Sequence, residues 1–124
     1  MNGIYESGED YLEAILCLKE ENGAARSVDV ARKLNVSKPS VSRAMSILEE
    51  KGYVYVSKIG SLELTEQGKE LAVEIYGRHV LLTKFLQKIT GVGEEQAEAN
   101  ACKIEHDIDD DIKRGIEKWM KENG

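Results

Sequence analysis

The chain has no apolar run approaching the roughly 18 residues of a membrane-spanning helix, and no basic stretch followed by an apolar one at its N-terminus. A membrane protein and a secreted one are therefore not expected. Cysteine is scarce: Cys17 and Cys102 lie far apart in sequence and could in principle pair, but two cysteines do not make the disulfide framework of a small secreted domain. The expectation is a cytoplasmic protein with reduced thiols, Cys17 packing within the first helix. Repeats and low-complexity tracts are absent. Net positive charge is lacking too; the formal charge of −6 argues against a nonspecific nucleic-acid binder. What remains is 124 residues, 41% hydrophobic and 32% charged, a composition that folds. The length suits one compact domain or a small domain with an appended interaction segment.

The charge is uneven. From Arg26 to Lys58 there are seven basic residues (Arg26, Arg32, Lys33, Lys38, Arg43, Lys51, Lys58) against three acidic ones, a net of +4 that leaves −10 on the remainder. A basic segment inside an acidic protein is the footprint of a DNA-reading unit attached to something else.

Periodicity places a first helix over about 8–21, with Tyr11, Ile15 and Leu18 on one face and Asn22-Gly23 as its stop. Ser27 is expected to cap a second helix that turns Val28, Ala31 and Leu34 inward, and Asn35 suits a left-handed turn. Ser37 caps a third helix with Pro39 in its first turn and Gly52 at its end. Val41, Ala44, Met45 and Leu48 form its apolar stripe, and Ser40, Arg43, Ser46 and Glu50 its opposite face. Tyr53 to Val56 and Leu62 to Leu64 read as a hairpin around Lys58-Ile59-Gly60. Thr65 caps a long helix to about Ile89, carrying Leu71, Ile75, Leu82 and Leu86 on one side. A fifth helix is expected over 94–107 and a sixth through Ile112, Ile116 and Trp119.

Two short helices joined by about three residues and followed by a hairpin describe a winged helix-turn-helix. The expected fold is mainly α with a small β-hairpin: a winged helix-turn-helix DNA-binding domain over 1–74, then a helical metal-binding and dimerisation domain over 75–124. The third helix would read DNA. Backbone amides at Ser37 to Ser40 suit phosphate, joined by Lys38, Pro39 in the first turn and the hydroxyls of Ser37, Ser40 and Ser42. Arg43 can present paired donors to guanine, Lys58 sits at the hairpin tip, and Arg26 and Ser27 open the second helix. An ordinary amphipathic helix also has a polar face; the order of elements together with the basic bias favours DNA. The surplus apolar residues Ile104, Ile108, Ile112, Ile116 and Trp119 suit a second copy of the chain. A two-fold dimer implies a palindromic double-stranded operator.

If 94–107 is helical, Cys102, Glu105 and His106 stand at i, i+3 and i+4, a thiol, a carboxylate and an imidazole on one face. Asp10 and Glu13, at i and i+3, offer two carboxylates, and His79 lies between these half-sites in sequence. Six donors of mixed hardness suit a divalent transition metal better than calcium or magnesium. Taken singly, each has a plainer reading. His79 shares a face with Ile75, Leu82 and Leu86, where a histidine is more often a satisfied core residue, and Cys102 passes as a small hydrophobe. Spacing leaves open whether the segments meet. A metal-dependent hydrolase would need an open coordination position and a substrate cleft, for which a short helical chain gives little room. No enzyme, small-molecule substrate or membrane partner is expected.

Several of these segments resemble a known family, the metal-dependent regulators typified by the diphtheria toxin repressor and the manganese transport regulator. The resemblance rests on Glu9-Asp10-Tyr11-Leu12-Glu13, Val30-Ala31 through Pro39-Ser40-Val41-Ser42, Leu64-Thr65-Glu66-Gln67-Gly68-Lys69, Arg78-His79 with Leu81-Leu82, and Ile104-Glu105-His106. It implies a metal-dependent repressor of metal-ion homeostasis, in a short form lacking the SH3-like third domain. By it, Asp10, Glu13, His79, Cys102, Glu105 and His106 fall on ligand positions. The chain is a hybrid: manganese-type members are similar at Asp10 and Glu13 but have a glutamate in place of Cys102. Iron-type members have the cysteine but usually a methionine in place of Asp10. Thr83 and Glu98 stand where the iron-type ancillary site would have a carboxylate and a histidine. Thiolate favours iron(II), cobalt, nickel or zinc over manganese, and the carboxylates pull the other way. Iron(II) is the first expectation and manganese(II) the second, with zinc, cobalt or nickel binding in vitro. The alternatives are a metal-independent winged-helix regulator and a zinc-stabilised DNA-binding module.

Overall fold

Local chemistry sets most of the helix boundaries. The structure, a computed structural model, describes residues 6–124, with side chains from Gly8 onward. Its elements run α1 (Glu6–Asn22), α2 (Ser27–Leu34), α3 (Lys38–Glu50), β1 (Val54–Val56), β2 (Leu62–Leu64), α4 (Glu66–Thr90), α5 (Glu94–Ile104) and α6 (Asp110–Asn123). The expected class, mainly helical with one small hairpin, is what the chain adopts. The chain divides into two compact units, one ending at Val73 and one from Glu74 to Gly124, the division falling within α4.

In the first unit, α1 stops at Asn22 before Gly23, whose φ of 76° only glycine adopts cheaply. Asn35 takes the left-handed conformation, φ 56°, and closes α2. Ser37 caps α3, its Oγ accepting from the Ser40 amide at 3.2 Å. Thr65 does the same for α4: its Oγ1 accepts from the Gly68 amide at 3.0 Å and donates to the Gly52 carbonyl at 2.7 Å. Gly68 is a close-approach position, since a Cβ there would lie 1.9 Å from the Tyr53 carbonyl oxygen. Leu12, Ile15, Val30, Val41, Leu48, Val54 and Leu62 are buried and form the core.

Two expectations about α2 fail. Ser27 is not a cap; Arg26 holds the N-cap position and makes no side-chain cap bond. The helix begins at Ser27; Ala31 is buried as expected and Leu34 is half-buried, but Val30 takes the inner place beside them and Val28 is 39% exposed. The hairpin pairs Val54 with Leu64, Tyr55 with Glu63 and Val56 with Leu62, antiparallel. It is tied to the rest of the unit by the Leu62 amide on the Ala25 carbonyl (2.8 Å) and by Lys19 Nζ on Glu63 Oε1 (2.6 Å).

In the second unit, Ile75 and Leu82 of α4 and Ala97 and Ala101 of α5 are buried. Phe85 of α4 meets Trp119 of α6 edge to face, ring centroids 5.6 Å apart. The fifth helix is shorter than expected: it ends at Ile104, not at 107. After the connection over 105–109, Asp109 accepts from the Ile112 amide at 3.0 Å and caps α6. The acidic run Asp109 to Asp111 favours a helix N-terminus at this point.

Candidate metal centre and nucleic-acid interface

The exposed N-terminal half of α3 gathers most of the expected DNA contacts. Lys38, Pro39, Ser42 and Arg43 are exposed, and the first turn carries no acidic residue to compete with a phosphate. Ser37 and Ser40 hydroxyls lie 2.8 Å apart, and Arg43 Nη2 donates to Ser40 Oγ at 3.4 Å. A long bond of this kind orients the guanidinium without occupying its remaining donors. Arg26 is exposed at the start of α2, Ser27 is half-buried beside it, and Lys58 is exposed between β1 and β2.

The expected ligands divide between the two units. Asp10 and Glu13 lie one turn apart on α1, both half-buried. In the second unit, His79 of α4 places Nδ1 3.0 Å from Glu105 Oε2 and Nε2 3.3 Å from Glu98 Oε1. His106 Nε2 lies 3.5 Å from Glu105 Oε1. Cys102 Sγ is within 4.8 Å of a Glu105 carboxylate oxygen. His79, Cys102, Glu105 and His106 therefore converge, with Glu105 at the centre. They do so differently from the expected helical face. With α5 ending at Ile104, Glu105 and His106 sit in the following turn and are buried, while Cys102 stays on the exposed side of the last helical turn.

Glu105 tests whether a cation suits this cluster. Its side chain is fully buried, and Oε1 has no hydrogen-bond partner among the described residues; His106 Nε2 at 3.5 Å is near but not bonded. A buried carboxylate oxygen without a donor is costly, by about 1–3 kcal/mol. Two imidazoles and a thiol around it complete the kind of nitrogen, sulfur and oxygen set that divalent transition metals accept. The residues fit such an ion.

Three residues take parts that local sequence patterns did not announce. Glu98 faces His79, and Thr83 spends its hydroxyl on the His79 carbonyl at 2.7 Å. Arg78 is buried and donates to the Glu105 and Ile108 carbonyls and to Asp110. A buried arginine between apolar helix positions is a signal for partners elsewhere, but it does not say which.

Comparison with known proteins bears on both units. Residues 4–62 match the family described as iron dependent repressor, N-terminal DNA binding domain, and residues 65–123 match its metal binding and dimerisation domain. The iron-dependent repressor IdeR of Mycobacterium tuberculosis is 34% identical over 120 residues, covering 97% of this chain and 52% of the relative. An uncharacterized HTH-type transcriptional regulator of Methanocaldococcus jannaschii is 34% identical over 117 residues, 94% of each chain. Among solved structures, the manganese regulator SloR superimposes with a TM-score of 0.83 at 28% identity, over 92% of this chain and 53% of that one. The chain spans about half the length of the mycobacterial and corynebacterial relatives it matches. No helix among the described residues is long and apolar enough to cross a membrane.

Proposed function

Since the chain belongs to the iron dependent repressor family, we propose that it is a transcriptional repressor of metal-ion homeostasis. It binds a palindromic double-stranded operator as a homodimer when loaded with a divalent ion. The observation that carries this reading is Glu105, a buried carboxylate between His79 and His106 with one oxygen unbonded among the described residues. His79, Cys102, Glu105 and His106 would hold the ion from the second unit, and Asp10 and Glu13 from α1. When bound, the ion supplies the positive charge that lets these carboxylates share a site. Unloaded, the same carboxylates repel one another and disfavour a common arrangement. Iron(II) is the first choice, because Cys102 adds a thiolate, and manganese(II) the second; zinc, cobalt and nickel bind in vitro. Similar solved structures include a manganese-dependent transcriptional repressor in complex with manganese and ScaR with bound Zn2+, at 26% identity each, which supports a site tolerant of several ions.

On the DNA side, Ser37, Lys38, Pro39, Ser40, Ser42, Arg43, Arg26, Ser27 and Lys58 form the contact set, with Arg43 reading bases and the others positioning the backbone. The second copy packs on the apolar residues of the last helices; Ile104 is 37% and Ile112 53% exposed. The protein acts by binding, not catalysis, in the cytoplasm where its operator lies.

The test is selection of palindromic duplexes from a random library by the metal-free protein, then by protein titrated with iron(II) or manganese(II). Binding is expected only with metal, and Asp10→Ala is expected to lose it. At 100 times its dissociation constant, an ion preferring the binding-competent form contributes roughly 2.7 kcal/mol to it. Chelator-insensitive binding would instead support a metal-independent regulator. Global unfolding on metal removal would support a zinc-stabilised module. A strong response to manganese with none to iron would reverse the order of metals.

A further inference from the structure

Arg78 precedes His79 on α4, and its side chain is only 6% exposed. Nη1 donates to the Glu105 carbonyl at 3.3 Å and to the Ile108 carbonyl at 2.7 Å, and Nη2 donates to Asp110 Oδ1 at 2.7 Å. All three acceptors lie between the end of α5 and the first turn of α6. That segment lacks helical donors for its carbonyls, so a planar guanidinium with five fixed N–H groups replaces them from a neighbouring helix. Glu105 is thereby gripped at both ends by consecutive residues of α4: His79 on its carboxylate, Arg78 on its carbonyl.

We propose that Arg78 is the positioning residue of the metal centre, fixing the turn from which Glu105 and His106 project. The inference rests on the reading of that cluster as a metal site. Lysine keeps the charge but cannot span three divergent acceptors, so the fork geometry, not the charge, is what the turn uses. The effect expected is that of removing an outer partner of a ligand, about 10- to 100-fold in metal affinity.

The experiment titrates the full chain, Arg78→Lys and Asp110→Ala with cobalt(II), reading the visible d–d and thiolate charge-transfer bands, with thermal melting of each apo-protein alongside. Arg78→Lys is expected to melt cooperatively yet bind cobalt(II) about 10- to 100-fold more weakly, with altered band intensities. Asp110→Ala, which removes one exposed acceptor, is expected to weaken binding by a smaller factor. Parental affinity and parental bands in a folded Arg78→Lys, whatever its melting temperature, would reduce Arg78 to a stabilising residue and overturn the proposal. If Arg78→Lys does not fold, Asp110→Ala decides by the same criterion. Absence of cobalt bands in the parent itself would instead sink the metal-site reading.

Discussion

Cys17 and Cys102 are one functional group in two settings. Burial on α1 pushes the Cys17 thiol above its ordinary value, an effect that Lys33 partly offsets and the carboxylates of Glu13, Glu21 and Glu20 reinforce. Thiolate is the reactive form, so Cys17 is protected twice, by access and by protonation. Cys102 is exposed on the last turn of α5, and neither cysteine is in a disulfide. Alkylation with iodoacetamide near neutral pH, mapped by mass spectrometry, is expected to modify Cys102 at least roughly tenfold faster than Cys17. Adding manganese(II) or iron(II) is expected to slow Cys102 alone. Equal rates at the two positions, or metal protection of Cys17, would contradict this assignment of exposure and ligation. The same scale explains why Cys102 was recognisable as a candidate ligand while its environment was not. Its neighbours Glu105 and His106 are three and four residues away, but their burial depends on a turn held by Arg78, 27 residues upstream of Glu105.

Between elements, the pairing of α1 with β2 through Lys19 and Glu63 sets a pH dependence. The ammonium of Lys19 at 2.6 Å holds the Glu63 carboxyl below its ordinary value of 4.5. A carboxylate with a lowered folded-state pKa contributes stability that is fully present above the unfolded value and is lost as pH falls through the folded one. Glu63→Gln is therefore expected to be less stable than the parent at pH 7, by about 0.2–1 kcal/mol for a partly exposed pair. The gap should narrow below about pH 4.5 and close at stronger acid, as urea titrations at pH 7 and pH 3 would register. A gap that persists undiminished at pH 3 would mean that Glu63 acts through packing and not through its charge. This scale also shows what the sequence could say. The starts of α3 and α4 and the stops of α1 and α2 were legible because Ser37, Thr65, Gly23 and Asn35 act on backbone groups within a few residues. On α2 the inward place of Ala31 was legible and that of Val28 was not, since the eight-residue helix has too few apolar positions to fix its face and Val30 is the one that packs inward. The end of α5 was overrun because the carbonyls of Glu105 and Ile108, in the connection after it, are satisfied by Arg78 of α4, a contact that periodicity does not encode.

For the molecule as a whole, the charge distribution confines where DNA can be met. With −6 overall and −10 outside residues 26–58, phosphate is attracted only to the α2, α3 and hairpin surface. Seven exposed cations lie there, of which Arg26, Lys38 and Lys58 are the ones in the proposed contact set that position the phosphate backbone, Arg43 being assigned to bases. Each contact releases counterions, so log affinity falls with log salt at about −0.9 per phosphate, or roughly −5 for a dimer using these three in each subunit. Arg43 and Lys58 should then separate by kind of effect. Lys58→Ala, losing a hairpin contact in each subunit, is expected to flatten the salt slope by roughly 2 while weakening all sequences alike. Arg43→Ala is expected to cost about 1–3 kcal/mol on the preferred operator and to broaden the choice at one base pair per half-site. Metal-loaded protein titrated onto the selected operator and a scrambled duplex at several salt concentrations distinguishes the two. If Arg43→Ala lowered both duplexes equally and Lys58→Ala altered their ratio, base reading would belong to the hairpin and not to α3.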